Sequence, residues 1–461
     1  MKFESNPIEE HGEAPLADDG RLEAAVLEWT RRAQRAAPHL TAEDGKNSCF
    51  VACLGVWDSD AVKSAQLGEI LALVQAQGDR VVGHATYRLS QPNPRTFIGR
   101  GTYENLVEQA TECGADLLVL DAELSPSQTR NLEEATGLAV CDREAVILNV
   151  FLRHARTRRA RIQVEIAHLE YLRPRIRGVG LVMDQQAGGV MGGRGPGETQ
   201  SELMSRQIDG RLAELRREFE RISRSSRTQR QGRSQSKRIV LVGYTNAGKT
   251  TLMNALTEAG LSAKDMPFET LDTTSRSLSR YGGDVLLSDT VGFIRRLPER
   301  LFASFESTLA EAREASLLAL VVDVSDPEWR FHLTTTHALL DKLGAGDVAR
   351  LYVFNKLDRV PATPSSEELQ DLCGPHEFAL VSGHDADGMQ RLKEKLLQSV
   401  RKDQRRVRLF VPYAATSALT TIYGRCRVLS AEPEELGMRF ELEGDPLVVA
   451  AVMHSLEDEQ S

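Results

Sequence analysis

One glycine-rich segment, residues 243–250, carries the clearest chemistry in this sequence. Its residues, GYTNAGKT, fit the P-loop pattern G-x-x-x-x-G-K-[ST] and lie between the apolar run RIVLV and a helical pattern. In such a loop the backbone N–H groups surround phosphate oxygens, and the helix N-terminus adds partial positive charge. We therefore predict a nucleotide-phosphate site made by Gly243, Tyr244, Thr245, Asn246, Ala247, Gly248, Lys249 and Thr250.

A second motif, DTVG, begins forty residues after Lys249 and follows the apolar run VLLS. We expect Lys249 to reach the β- and γ-phosphates and the Thr250 hydroxyl to be a Mg²⁺ ligand. Asp289 would hold a water on Mg²⁺, and the Gly292 N–H would bond the γ-phosphate. The alternative is a strand-terminal aspartate that caps a turn. The motif also adds Thr290 and Val291 to the predicted nucleotide contacts.

A third motif, NKLD at residues 355–358, indicates which base is bound. A carboxylate such as Asp358 accepts both the N1–H and the N2–H₂ of guanine, whereas adenine has no such donor pair. The stem of Lys356 would cover the base, Asn355 would fix the loop, and Leu357 completes the motif. Three residues that follow the apolar run FALV would offer backbone N–H groups to the guanine O6: Ser382, Gly383 and His384.

The segment FETLDTTSR, residues 268–276, lies between the P-loop and DTVG. A threonine there would supply a second protein hydroxyl to Mg²⁺ and contact the γ-phosphate, so GTP would order the segment and hydrolysis would release it. Thr270, Thr273 and Thr274 all have the required chemistry, and their spacing does not choose among them.

Phe293 follows Gly292 at a position where Ras-like proteins carry a glutamine that orients the attacking water. Phenylalanine cannot hydrogen-bond water, so we expect slow hydrolysis until a partner supplies or orders the missing group. The alternative is that Phe293 packs in a resting state and another side chain aligns the water.

The elements that must position these residues form an α/β chain with several units. The length of 461 residues suggests about three domains, whereas the pattern of elements indicates four folded units. The P-loop GTPase domain has strands alternating with helices, which predicts a doubly wound, mostly parallel sheet. The predicted order is a polar extension (1–45), an N-terminal α/β domain (46–150), an arginine-rich helical hairpin with a Gly-rich loop and linker (151–237), the GTPase domain (238–402) and a small α+β C-terminal domain (403–461).

The whole chain is acidic, with 57 basic and 66 acidic residues and a formal net charge of −9. That balance argues against nucleic acid, but residues 151–237 hold 19 basic and 9 acidic residues, a local charge of +10. Six cysteines without a CxxC pair predict reduced thiols. No run approaches about 20 apolar residues, and no secretory signal is visible. We expect a cytoplasmic monomer without membrane insertion.

Two apolar stripes at helical spacing predict that residues 151–237 form an antiparallel helical hairpin. A glycine-rich connection (187–200) joins the two helices, and a basic linker (223–236) follows them. The arginines suit contact with phosphate groups, and the scarcity of aromatic residues favours backbone recognition of folded RNA over base stacking. The alternative is a solvated arginine-rich helix face. The stripes contain Ile162, Ile166, Leu169 and Leu172 in the first helix, and Ile208, Leu212, Leu215, Phe219 and Ile222 in the second.

The P-loop, DTVG and NKLD in this order resemble the translation-factor class of GTPases. The motifs GYTNAGKTTL, FETLDTTSR, DTVGFIRRLP and NKLD resemble more closely the HflX family, in the Obg–HflX superfamily. The N-terminal blocks PRTFIGRGTYENL and GRGPGETQSE, and residues 124–178, extend the resemblance over about residues 50–445. The guanine-contacting S-A-x motif of the family is Ser-Gly-His here.

The resemblance implies that Thr270 is the Mg²⁺ ligand and that Phe268, Glu269, Leu271 and Asp272 share in nucleotide binding. It further implies a GTPase that binds the large ribosomal subunit and its rRNA near the peptidyl-transferase centre, with the glycine-rich loop, including Arg194–Gln200, as a probe. Such a protein splits or rescues stalled ribosomes under stress. Two alternatives stay open: a ribosome-assembly GTPase, and a GTPase that acts on a protein partner without RNA.

Overall fold

The structure is a computed structural model, and several predicted features fall outside the residues it describes. These features are the extension 1–45, the residues of the glycine-rich loop before Gln200, and the nucleotide-contacting positions Phe268, Glu269, Thr270, Leu271, Asp272 and Val291. The described residues are 47–176, 200–231, 237–257, 274–279, 285–290, 292–296, 298–302, 311–360, 362–402, 404–444 and 446–458.

The first sheet has four parallel strands in the order β2-β1-β3-β4. The predicted strands near residues 49–57 and 116–121 are present, and two further strands flank them. The sequence did not reveal β2 because its side chains are only half-buried, nor β4 because its sequence, AVCD, has an apolar run of only three residues. The elements are β1 (Ser48–Gly55), α1 (Asp60–Ala76), β2 (Arg80–Arg88), α2 (Arg100–Glu112), β3 (Leu117–Leu120), α3 (Pro126–Thr136), β4 (Ala139–Asp142) and α4 (Arg143–His154), a helix that crosses the predicted boundary at residue 150.

Two long helices, α5 (Arg158–Ile176) and α6 (Gln200–Gln231), pack against each other. Ion pairs join Arg158 to Glu218 at 2.5 Å and Arg173 to Asp209 at 2.7 Å, so the helices run in opposite directions. Most of the apolar positions predicted to face inward are fully buried: Ile162, Leu169, Leu172, Ile208, Leu212 and Leu215.

The predicted linker 223–236 is wrong in its first part, because α6 continues through Gln231. Arginine and glutamine have good helix propensity, so a polar composition that cannot build a core can still continue a helix. Phe219 and Ile222 pack partly buried against the core and hold the preceding turns in place.

The sheet that carries the P-loop has six strands in the order β10-β9-β8-β5-β7-β6. All neighbours are parallel except β6 and β7, which confirms a mostly parallel α/β fold. The polar strand β6 at the edge, TSRSLS, was not predicted. The elements are β5 (Lys237–Gly243), α7 (Lys249–Thr257), β6 (Thr274–Ser279), β7 (Val285–Asp289), β8 (Leu317–Asp323), α8 (Trp329–Lys342), β9 (Arg350–Asn355), α9 (Ser366–Cys373), β10 (Glu377–Leu380) and α10 (Ala386–Arg401).

The last unit has an antiparallel sheet, ordered β11-β13-β12, with two helices packed against it. In the parts of the chain that the structure describes, no helix has the length and apolar character needed to cross a membrane. The elements are β11 (Arg405–Pro412), α11 (Thr416–Arg425), β12 (Arg427–Glu434), β13 (Gly437–Gly444) and α12 (Pro446–Asp458).

One hydrophobic cluster passes from the first sheet, through the two long helices, to the P-loop sheet. It includes Val146 of α4, Leu169 of α5, Tyr244 of the P-loop and Phe293. The nucleotide loop therefore shares a core with the N-terminal elements.

Candidate functional site

The P-loop lies between the end of β5 and the start of α7, and its two glycines are sterically required. Gly243 has φ 153°, and a Cβ there would lie 2.2 Å from the carbonyl oxygen of Val321. Gly248 has φ 91°, and a Cβ there would lie 2.3 Å from Nδ2 of Asn355. Asn246 also has a left-handed conformation, with φ 61°, which asparagine tolerates better than most residues. The loop is therefore held in one tight conformation against β8 and β9.

The Lys249 ammonium group lies on the inner side of this loop. Its Nζ donates to the carbonyl oxygens of Gly243 at 3.0 Å and Tyr244 at 2.8 Å. Burial lowers the pKa of Lys249 to about 8, although the nearby Asp289 carboxylate acts in the opposite direction. A phosphate group beside this ammonium would favour its charged form.

Thr250 and Asp289 place two oxygen atoms together at the carboxyl end of the sheet. The Thr250 hydroxyl donates to Oδ2 of Asp289 at 2.7 Å, and Asp289 is fully buried at the end of β7. The neighbouring Thr290 hydroxyl donates to the Leu241 carbonyl at 2.7 Å, which ties the motif to β5. Hydroxyl and carboxylate oxygens are the donors that Mg²⁺ prefers.

The residues after DTVG run alongside the P-loop. The Phe293 N–H donates to the Gly243 carbonyl at 3.0 Å, and the Thr245 N–H donates to the Phe293 carbonyl at 2.6 Å. A Cβ on Gly292 would lie 3.0 Å from Lys249 Nζ, so Gly292 lies close to the ammonium. The Phe293 side chain is only 2% exposed and packs in the core.

The NKLD motif at the end of β9 is tied to both neighbouring loops by Asn355. Its Nδ2 donates to the Ala247 carbonyl at 2.9 Å, and its Oδ1 accepts from the Gly383 N–H at 3.2 Å. Lys356 has φ 64°, and its Nζ pairs with Asp323 Oδ2 at 2.7 Å. The phosphate-binding loop and the proposed base-binding loops are therefore one connected structure.

Asp358 is exposed in the loop after β9. The Ser382 hydroxyl donates to its Oδ1 at 2.7 Å and also accepts from the His384 N–H at 3.4 Å. The hydrogen bond from Ser382 lowers the pKa of Asp358, so its carboxylate is ionised at neutral pH and can accept hydrogen bonds.

Two contributors near the site were missed by the sequence analysis. Asp323, which holds Lys356, ends the strand β8, and the run VVDVSD could have pointed to it because an acidic residue there lies at the carboxyl edge of the sheet. Glu69, which accepts from the Tyr244 hydroxyl at 2.7 Å, is 175 positions away and gives no local signal.

Comparison with known proteins shows which families this chain matches. Profiles of three families match: the GTP-binding GTPase N-terminal region at residues 64–152, the GTP-binding GTPase middle region at 154–233, and the 50S ribosome-binding GTPase at 238–356. The fold and these matches define a P-loop GTPase, which binds guanine nucleotides.

Relatives that match most of the chain identify the family more specifically than the domain profiles do. A GTPase HflX from Spirochaeta thermophila is 38% identical over 82% of this chain and 92% of its own length, and one from Gluconacetobacter diazotrophicus is 42% identical over 74% of each. The chain belongs to the HflX family of GTPases. A solved GTP-binding protein from Sulfolobus solfataricus, in complex with GDP, is 23% identical, with a TM-score of 0.42 over 77% of this chain and 99% of that protein.

Proposed function

We propose that this GTPase binds the large ribosomal subunit in its GTP-bound form and splits or rescues stalled ribosomes in the cytoplasm under stress. The observation that carries the proposal is an arginine stripe on the outer face of α6. Arg206, Arg217, Arg221 and Arg224 recur at helical spacing and are exposed, opposite the buried positions of the same helix.

The arginines of this region divide into two groups with different roles. One group faces the companion helix and pairs with its carboxylates: Arg158 with Glu218 at 2.5 Å and Arg211 with Glu165 at 2.9 Å. These pairs hold the helices together, and the stripe on the outer face is the group that we propose contacts RNA. Guanidinium groups bind phosphate through paired N–H donors, which suits the backbone of folded rRNA.

GTP binding and hydrolysis at the nucleotide site would control ribosome binding. We infer that Asp358 selects guanine, that Lys249 contacts the β- and γ-phosphates, and that Thr250 ligates Mg²⁺ directly while Asp289 orients a bound water. Mg²⁺ supplies charge neutralisation on the phosphates when bound. Thr270 remains our proposed second hydroxyl ligand, with Gly292 directed at the γ-phosphate and hydrolysis slow because Phe293 cannot orient water.

The name of the family profile that matches residues 238–356, a 50S ribosome-binding GTPase, supports the same partner. Binding that depends on the nucleotide would let hydrolysis release the protein, because GDP lacks the γ-phosphate that Gly292 would contact. If the protein acted in ribosome assembly instead, cells depleted of it would accumulate ribosomal precursor particles.

Cosedimentation with purified large subunits tests the proposal. We expect binding with a non-hydrolysable GTP analogue, weak binding with GDP, and a loss of about ten-fold or more in the variant Arg217→Glu/Arg221→Glu, because two phosphate contacts become repulsive. The matched control is Arg405→Glu/Arg425→Glu, which makes the same charge change at exposed positions of the C-terminal unit. Equal binding with GDP and the analogue, or equal loss in both variants, would contradict it.

A further inference from the structure

The ammonium group of Lys356 is held by a carboxylate that lies outside the NKLD motif. Its Nζ pairs with Oδ2 of Asp323, the last residue of β8, at 2.7 Å. The Lys356 side chain is 14% exposed and the Asp323 side chain is 15% exposed, so solvent reaches little of this pair. Lysine is seldom withdrawn from water this far unless it is paired. The pair therefore fixes the far end of the lysine side chain.

The near end of the same side chain is fixed by the backbone. Lys356 has φ 64°, a left-handed conformation that is costly for a residue with a Cβ. Two backbone hydrogen bonds hold this turn. The Leu357 N–H donates to the Val381 carbonyl at 3.3 Å, and the Arg359 N–H donates to the Lys356 carbonyl at 3.0 Å. The apolar stem of Lys356 is therefore held at both ends.

Asp323 is oriented by hydrogen bonds of its own. Its Oδ1 accepts from the Ser325 N–H at 3.0 Å and from the Ser325 hydroxyl at 2.5 Å. Asp323 lies opposite Asn355 in the parallel pairing of β8 with β9, and the Val324 N–H donates to the Asn355 carbonyl at 3.2 Å. Because Ser325 engages Oδ1, Oδ2 is the oxygen that pairs with Lys356. The carboxylate thus has a fixed position next to the NKLD motif.

The same ion pair keeps two opposite charges of the NKLD motif apart. Lys356 and Asp358 are only two positions apart, so a mobile lysine side chain can reach that carboxylate. An ammonium group bound there would use acceptor positions that the guanine N1–H and N2–H₂ need. In the structure, Lys356 pairs with Asp323 instead, and Asp358 accepts from the Ser382 hydroxyl at 2.7 Å. The exposed Asp358 carboxylate therefore keeps acceptor positions for a base.

We propose that Asp323 is a positioning residue for the guanine base. By binding the Lys356 ammonium, it keeps the lysine stem in one position, as an apolar surface against which the base can lie. It also stops the ammonium from occupying the carboxylate that reads the edge of the base. This inference rests on the base site proposed for Asp358 and adds to it a second carboxylate, one that contacts Lys356 rather than the nucleotide.

Steady-state GTP hydrolysis by the isolated protein tests this role. Asp323→Asn keeps the shape of the side chain and removes its charge, so KM for GTP should rise roughly five-fold, the effect of one hydrogen bond. The value of kcat should stay within about two-fold, because a contact to the base contributes equally before and during the chemical step. The Kd for GDP should rise by the same factor as KM, because GDP carries the same base.

A double-variant cycle with Lys356→Met shows whether Asp323 acts through the lysine. Methionine keeps an unbranched apolar stem and has no ammonium group to anchor. Asp323→Asn should therefore not raise KM further in the Lys356→Met background. An unchanged KM in Asp323→Asn, a kcat that falls along with the rise in KM, or a double variant whose KM is the product of the single effects overturns the proposal.

Ser325→Ala is a milder variant that decides the matter if Asp323→Asn does not fold. It removes one of the two hydrogen bonds that orient Asp323, so KM should rise about two-fold, and only while Lys356 is present. An effect of the same size in the Lys356→Met background contradicts the proposal. The matched control is Glu377→Gln, which breaks a 2.6 Å ion pair with Lys402 at the start of β10, in the same sheet. Its KM should equal that of the wild type.

The base site itself is tested separately, by the base preference of Asp358→Asn. If that variant prefers XTP while Asp323→Asn keeps the wild-type KM, the base site stands and the role of Asp323 is rejected. If Asp358→Asn still prefers GTP, the base site and this inference are both rejected. No ribosomes are present, so either result is independent of the cosedimentation experiment.

Discussion

The side-chain amide of Asn355 donates a hydrogen bond to the Ala247 carbonyl at 2.9 Å, across 108 positions of sequence. Its oxygen accepts from the Gly383 N–H, and the residue is 2% exposed. A single side chain thus fixes the P-loop against the two loops proposed to bind the base.

Replacing Asn355 with Ala should therefore weaken both parts of the site together. Loss of two hydrogen bonds costs roughly 2 kcal/mol, so the dissociation constant for GTP should rise about thirty-fold. Equilibrium titration with a fluorescent guanine nucleotide measures the change in the dissociation constant. Asn131→Ala is the matched control, because it loses a comparable bond to the Arg95 carbonyl in the N-terminal unit. Similar affinities in the two variants would count against the connecting role of Asn355.

Asp358→Asn should change the preferred base rather than abolish binding. The carboxylate is an acceptor for two guanine donors, whereas the asparagine amide provides both a donor and an acceptor, which matches xanthine. Competition between GTP and XTP should reverse in favour of XTP. Asp371→Asn, at an exposed position on α9, is the control and should keep the preference for GTP. A variant that still prefers GTP would refute the assignment of Asp358.

Binding of GTP should take up protons near pH 8. With a pKa of about 8, Lys249 is half charged at that pH without nucleotide, and the phosphates raise its pKa. The affinity should therefore be constant below about pH 7 and fall as pH rises through 8, by up to about ten-fold per pH unit. Calorimetry in two buffers of different ionisation enthalpy should give about half a proton taken up at pH 8.

Guanosine monophosphate is the control for this measurement, because it lacks the β- and γ-phosphates that Lys249 is expected to contact. It should bind without the same proton uptake. Proton release, or equal uptake with both nucleotides, would place the titrating group elsewhere.

His168 should make the protein less stable in mild acid. It is buried in α5, burial lowers its pKa to about 4, and its Nε2 has no hydrogen-bond partner among the described residues. The unfolded chain binds a proton near pH 6.5 and the folded chain does not until about pH 4, so stability is full above 6.5 and is lost as pH falls towards 4. As the pH falls from 7.5 to 5.5, this histidine should lower the free energy of unfolding by about 1 kcal/mol.

Urea unfolding of the wild type and of His168→Leu at both pH values checks this prediction. The variant should lose about 1 kcal/mol less than the wild type over that interval, since leucine does not titrate. An equal loss in both proteins would mean that His168 does not contribute.

The elements around the site were predictable where the sequence signal is local. β5, β7, β8 and β9 are continuous apolar runs that end at polar motifs, as buried parallel strands do. The polar edge strand β6 carries no such run. Its identity depends on pairing with β7, which a propensity pattern does not contain.

The contacts that join units were not predictable for a related reason. The Tyr244–Glu69 hydrogen bond depends on how two separately formed sheets pack. The sequence of α5 and α6 showed that the helices are rich in arginine. It did not show which arginines pair with the companion helix and which lie on the outer face, because only packing decides which guanidinium groups face glutamates on that helix.

The close approach of Gly248 to Asn355 has a consequence for the evolution of this site. A methyl group on residue 248 would occupy the position of the Asn355 amide, so the two positions cannot vary independently. A lineage that gained a larger residue at 248 would need a smaller one at 355 and also a different backbone conformation at 248, because φ 91° strains any side chain there, and the intermediate would have lost the link between the loops. Changes at these positions should therefore be strongly epistatic, and a redesign of base specificity in this scaffold must treat them as a pair.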